Sequence, residues 1–116
     1  MDSPAEIDRQ IFNTLKVDLG EDFFYEMIET FCDDTRKQLD QLKSALDQGD
    51  SKTFTRAAHT VKSTSLIFGA VAFGNLAREL EMLGRDGQLE ASHEKYQQLE
   101  HACEPLLRAI RNLSRD

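Results

Sequence analysis

The chain has 116 residues, room for one hydrophobic core and too few for two. Hydrophobic residues are 40% and charged residues 30%, a mixture that folds in water and is neither a disordered nor a membrane-embedded composition. Lys+Arg total 14 against 21 Asp+Glu, and the net charge of −7 argues against nucleic-acid and anionic-membrane partners, which need a basic surface.

Apolar residues return every three or four positions, the spacing of amphipathic helices, and no strand-like alternation persists. The spacing predicts five helices. The first opens at Ser3-Pro4-Ala5-Glu6, with Ser3 as cap, Pro4 at the first helical position and Glu6 completing a capping box. Ile7, Ile11 and Leu15 then share a face, and the helix ends near Asp18. After Gly20 a second helix runs over 21–48, with Phe24, Ile28, Phe31, Thr35, Leu39, Leu42 and Leu46 in one stripe and Gly49 as its stop. Phe23 and Met27 flank that stripe and add apolar surface near its start.

Asp50 or Ser51 caps a third helix that runs to about Phe68 and is ended by Gly69. Its core stripe is Phe54, Ala57, Ala58, Val61, Ser65 and Phe68. The fourth starts near Val71, buries Phe73, Leu76, Ala77, Leu80 and Leu83, and frays through Gly84 and Gly87. The fifth starts between Gln88 and Ser92, with Leu89, Tyr96, Leu99, Cys103, Leu106, Ile110 and Leu113 on its inner face. Pro105 lies inside that pattern, which resumes in phase beyond it, so a kink is expected rather than a break.

Short connections make consecutive helices antiparallel neighbours. The predicted fold is all-α: an antiparallel up-down four-helix bundle, one domain over 1–116, with a short additional N-terminal helix across one end. The N-terminal decapeptide is acidic and has no apolar core, so it is not a signal peptide. The most apolar stretch, Leu66 to Phe73, is broken by Gly69 and falls far short of the roughly 20 residues of a membrane helix. Cys32 and Cys103 fall at apolar helical positions and read as buried reduced thiols. A cytoplasmic protein is expected.

The sequence holds no glycine-rich phosphate loop, no paired-cysteine metal motif and no nucleophile elbow. Three histidines remain. His93 and His101 sit in a charged helical stretch, and their spacing of eight turns them roughly 80° apart, unlike a ligand pair. His59 differs. With Phe54 at zero on the helical wheel, the core stripe centres near about 345° and His59 points to about 140°. The imidazole therefore faces away from the core. Lys62 and Ser63 share its face, and Leu66 and Ile67 flank the same side at about 120° and 220°. Together they describe a docking patch with a reactive centre, although an outward histidine alone is ordinarily a surface residue.

The run from Ala57 to Arg85, AAHTVKSTSLIFGAVAFGNLARELEMLGR, resembles the signature of the histidine-containing phosphotransfer (HPt) domains of phosphorelays. The resemblance rests on Ala58-His59, Lys62 three residues later, the small residues Ser63, Thr64 and Ser65, Gly69-Ala70 at the helix end, and Leu76, Leu80 and Glu81 on the next helix. Helix lengths and order extend it to essentially the whole chain.

The resemblance implies a bundle presenting one histidine, here His59, which accepts a phosphoryl group from a receiver-domain aspartate and passes it to another. It implies transfer through the distal ring nitrogen, with the other nitrogen keeping its proton. Lys62 offers positive charge to the phosphoryl oxygens, and Ser63, where many members have glycine, is small enough to let a receiver approach. Glu81 and Arg85 fall where polar residues of the following helix assist the histidine in that family: Arg85 strengthens phosphoryl or partner binding, and Glu81 is given only a hydrogen-bonding or orienting role, since an acid sits uncomfortably beside phosphate. Magnesium belongs to the receiver, and the chain itself is expected to need no cofactor or metal. The implied partners are receiver domains and a hybrid sensor histidine kinase. No turnover is expected from the chain alone, and a monomer keeps the transfer face uncovered.

Two other readings compete. One is a non-catalytic docking module for receiver domains, using Leu66, Ile67, Phe23 and Met27 as an apolar surface. The other is an enzyme or metal protein built on the three histidines, which their spacing disfavours.

Overall fold

The computed structural model of the protein describes residues 3–115. Its helices are α1 (Arg9–Leu19), α2 (Glu21–Gln48), α3 (Ser51–Ile67), α4 (Val71–Arg85) and α5 (His93–Ser114), with one 3₁₀ turn, Leu89–Ser92, leading into α5. No strand occurs among the described residues. Helices α2, α3, α4 and α5 pack as neighbours in a closed ring, α5 returning to α2, and α1 lies against α2 and α3. This is the helical bundle that the spacing predicts.

The central helices form where their caps and stripes place them. Helix α2 ends on Gly49 in the left-handed conformation (φ 70°), whose N–H bonds back to the last turn. The Asp50 side chain accepts the Thr53 N–H at 3.1 Å and so opens α3. All six residues of the predicted α3 stripe, Phe54 to Phe68, are buried. Charged residues on the outer faces of α2 and α5 pair across their seam. Arg36 donates to both oxygens of Glu104 at 2.9 Å, and Arg111 to Glu29 at 3.2 Å.

Helix α4 lies closest to α3 because its inner face carries glycines. A Cβ on Gly74 would stand 2.9 Å from Leu66 Cδ2, and one on Gly84 would meet Thr55 Oγ1 and stand 2.9 Å from Phe54 Cδ1. Gly84 is therefore a buried packing position inside α4, which continues to Arg85 rather than fraying at Gly84 as its sequence suggested. Leu83, expected in the core, is only half-buried.

The N-terminal helix departs most from its predicted form. Ser3 Oγ accepts the Ala5 N–H at 3.2 Å, but this closes only a turn. Helix α1 begins at Arg9 and is capped by Asp8, whose carboxylate accepts the Ile11 N–H at 3.1 Å. The cause lies in the tertiary structure: the Asp8 N–H donates to the Gly69 carbonyl at 2.8 Å, holding Asp8 extended against the α3–α4 corner. Gly69 adopts φ +85°, and a Cβ there would stand 2.7 Å from the Asp8 carbonyl oxygen, so the corner needs glycine twice over. The buried face of α1 is also rotated. Phe12 fills the core, edge-on to Phe24 at 5.0 Å, while Ile11 is exposed and Ile7 and Leu15 are half-buried.

Helix α5 runs unbroken through Pro105, which is exposed. The carbonyl that proline leaves without its helical donor lies on the water side. The inner residues of α5 are buried as expected, apart from half-buried Leu113. Cys32 and Cys103 are free and buried. No helix among the described residues is long and apolar enough to cross a membrane.

Candidate functional site

His59 stands on the outer side of α3 with 57% of its side chain exposed, as the wheel predicts. Opposite it on α4 is Glu81, whose side chain is only 4% exposed. His59 Nδ1 lies 2.8 Å from Glu81 Oε2. Lys62 Nζ donates to Glu81 Oε1 at 2.7 Å, and Arg85 Nη2 donates to Oε2 at 2.9 Å. Helical spacing builds this cluster: Lys62 is one turn beyond His59, and Arg85 one turn beyond Glu81. The close α3–α4 approach brings the two faces together.

Burial alone raises the Glu81 pKa, but hydrogen bonds from Lys62 and His59 outweigh it and leave the carboxyl below its ordinary value. Glu81 is thus a buried carboxylate, an acceptor only. An acceptor at Nδ1 requires the proton on Nδ1, which leaves the lone pair on Nε2. Among the described residues nothing hydrogen-bonds Nε2. The arrangement is a fixed imidazole with its nucleophilic nitrogen turned away from its anchor.

A groove of about 580 Å³ runs beside the ring, between the first half of α3 and the end of α4. His59, Glu81 and Arg85 line it, and so do Lys52, Arg56 and Thr55, which the sequence reading missed. The signal was available: Arg56 and Lys52 stand three and seven residues before His59, on its helical face. The other anticipated residues are placed less centrally. Ser63 is half-buried beside the cluster, on α3. Leu66 is half-buried and packs on Gly74, while Ile67 is 54% exposed and lines a separate groove with Ile11 and Leu15 of α1. Phe23 is 49% exposed and Met27 packs on the core, both on α2 and neither in the His59 groove. His93 and His101 are exposed, and no cluster of metal-ligating side chains occurs among the described residues.

Lys62, expected to offer charge to the phosphoryl oxygens, is engaged with Glu81. Glu81, expected to hydrogen-bond or orient the histidine, is also the hub on which all three donors converge.

The Hpt domain family matches the chain over residues 26–109. Among solved structures, histidine-containing phosphotransfer protein B (HptB) from Pseudomonas aeruginosa PAO1 superposes with a TM-score of 0.87 at 26% identity, covering 94% of each chain. The HPT domain of a sensor hybrid histidine kinase from Shewanella shares the fold, with a TM-score of 0.76 at 17% identity, covering 97% of this chain and 95% of its own. No curated protein matches the chain.

Proposed function

The chain belongs to the Hpt domain family and is a histidine phosphotransfer module of phosphorelays; on that premise we propose that it works with two-component receivers and kinases and that His59 is the residue that carries the phosphoryl group, through Nε2. The observation that supports this most is the Nδ1 contact with Glu81 at 2.8 Å, which leaves the exposed side of the ring nucleophilic.

In this reading a receiver's aspartyl phosphate enters over the α3–α4 groove. The Nε2 lone pair attacks phosphorus, the N–P bond forms, the P–O bond to the aspartyl carboxylate breaks, and the carboxylate leaves with the electron pair. Nδ1 keeps its proton, so positive charge develops on the ring, and the Glu81 carboxylate is already placed to stabilise it. The same charge makes the ring a good leaving group when a second receiver's aspartate attacks. Lys62 and Arg85 hold Glu81 in place and leave the cluster electropositive towards the phosphoryl oxygens. Ser63 contributes by being small. Magnesium enters with the receiver, the chain carries the group stoichiometrically without turnover of its own, and it acts as a monomer with the groove open. A role in docking alone would leave the buried carboxylate under His59 without a use.

The test is transfer from a phosphorylated receiver carrying radiolabelled phosphate. The parent chain should take up about one acid-labile label per chain, and His59→Gln none. Label retained by His59→Gln would place the acceptor elsewhere.

A further inference from the structure

The bundle carries a second concentration of positive charge, on the side away from His59. The His59 groove lies between α3 and α4, and the opposite side of the ring is formed by α2 and α5. There a groove of about 190 Å³ is lined by Arg36 of α2, by Glu104, Arg108, Arg111 and Asn112 of α5, and by Arg115 at the C-cap of α5. The sequence has eight arginines, and four of them meet at this one place in a chain of net charge −7.

The four are not equivalent. Arg36 is fixed by its paired bonds to Glu104, and Arg111 by Glu29. Arg108 and Arg115 are exposed, and among the described residues no carboxylate forms an ion pair with either. Arg108, Arg111 and Arg115 repeat at three and four residues along α5, which stacks like charges on one face and disfavours the bare helix. The negative end of the helix dipole favours cations in the last turn. It does not align them with an arginine from another helix.

The face also shows what it binds: its arginines already grip carboxylates, one of them through both oxygens. Arg108 and Arg115 are about 10 Å apart along α5 at 1.5 Å per residue. An extended segment covers that distance in about three residues. We propose that the α2–α5 groove binds a short, extended, acidic segment of a partner protein, its carboxylates seated on Arg108 and Arg115 beside the fixed forks of Arg36 and Arg111. Because this groove faces away from His59, the segment stays bound while the α3–α4 groove exchanges phosphoryl partners. The proposal does not depend on His59 being the acceptor.

The probe is a hexaglutamate peptide titrated into the isotope-labelled full chain at low ionic strength. The expected result is a shift of the backbone amide resonances of Arg36 and of 108–115, saturable despite the repulsion between two acidic molecules. The double variant Arg108→Gln/Arg115→Gln should melt like the parent, because both side chains are exposed, and bind about tenfold more weakly. His59→Gln should bind unchanged. Shifts centred on the α3–α4 groove, equal binding by the double variant, or an equal response to inorganic phosphate at the same concentration would each overturn the proposal, the last by showing a small-anion site only.

Discussion

Replacing Glu81 by Gln changes one acceptor oxygen into a donor nitrogen and puts the role of the carboxylate to a quantitative test. The two oxygens of Glu81 take hydrogen bonds from His59 Nδ1 at 2.8 Å, Lys62 at 2.7 Å and Arg85 at 2.9 Å. An amide NH₂ cannot accept any of them. Turned towards Lys62, it leaves the carbonyl on Nδ1–H but removes the charge that stabilises the developing imidazolium. Turned towards His59, it demands a lone pair on Nδ1, moves the proton to Nε2 and removes the nucleophile. A charge-assisted hydrogen bond is worth about 1.5–3 kcal/mol. At about 1.4 kcal/mol per tenfold in rate, phosphoryl transfer to Glu81→Gln should slow by roughly tenfold to a hundredfold. Rapid-quench transfer from a labelled receiver measures the rate, and nitrogen chemical shifts of the ring report which nitrogen holds the proton. A rate within about threefold of the parent, with the proton still on Nδ1, would refute the argument that the carboxylate charge assists transfer.

The same carboxylate links the site to acid stability. The folded pKa of Glu81 is lowered by Lys62 and His59 against the cost of burial, and that of Glu104 by its bond to Arg36. Their stabilising contribution is therefore complete above the ordinary glutamate value of 4.5 and is lost as the pH falls through the lowered folded values. Urea melts between neutral pH and the acid range should show stability falling below that value, and Glu81→Gln should flatten the fall. In the core, the Thr35 hydroxyl is buried without a hydrogen-bond partner. Thr35→Val, which keeps the shape and removes the orphan group, should raise stability by about 1 kcal/mol and the melting temperature by about 4 °C. Burial pushes the Cys103 thiol up to about 11 and the Cys32 thiol upward as well. At pH 7.5 a disulfide reagent should modify both only as fast as the protein opens, and at once in urea; a rapid burst on the native protein would contradict their burial.

Much of this was legible in the residues, and the exceptions have physical causes. Helix α2 has the span its stripe and flanking glycines predict, because a long amphipathic helix with clear stops is decided locally. His59 could be placed on the outer face from periodicity alone. Helix α1 could not be placed as well, since its start depends on the Asp8 hydrogen bond to Gly69, some sixty residues away. Gly84 read as a fraying signal because its close approach to Phe54 and Thr55 exists only once α3 and α4 have packed. Arg56 and Lys52 lay on the right face but were passed over, because a charge on an outer helix face carries no mark of what it faces.

Glu81 is the most instructive case. A carboxylate beside an incoming phosphate looks repulsive when it is judged as a single charge. In the bundle it is buried to 3% exposure and bonded to Lys62 and Arg85, so the three side chains together carry +1. Lys52 and Arg56 in the same groove add to that field. In the transfer proposed for His59, the negative charge therefore acts at short range, on the Nδ1 side of the ring, where positive charge would develop. The positive surplus acts on the open side, where the phosphoryl oxygens would arrive. Separating the two signs across a single imidazole requires residues from two helices, and that is why the pairing became readable only with the fold.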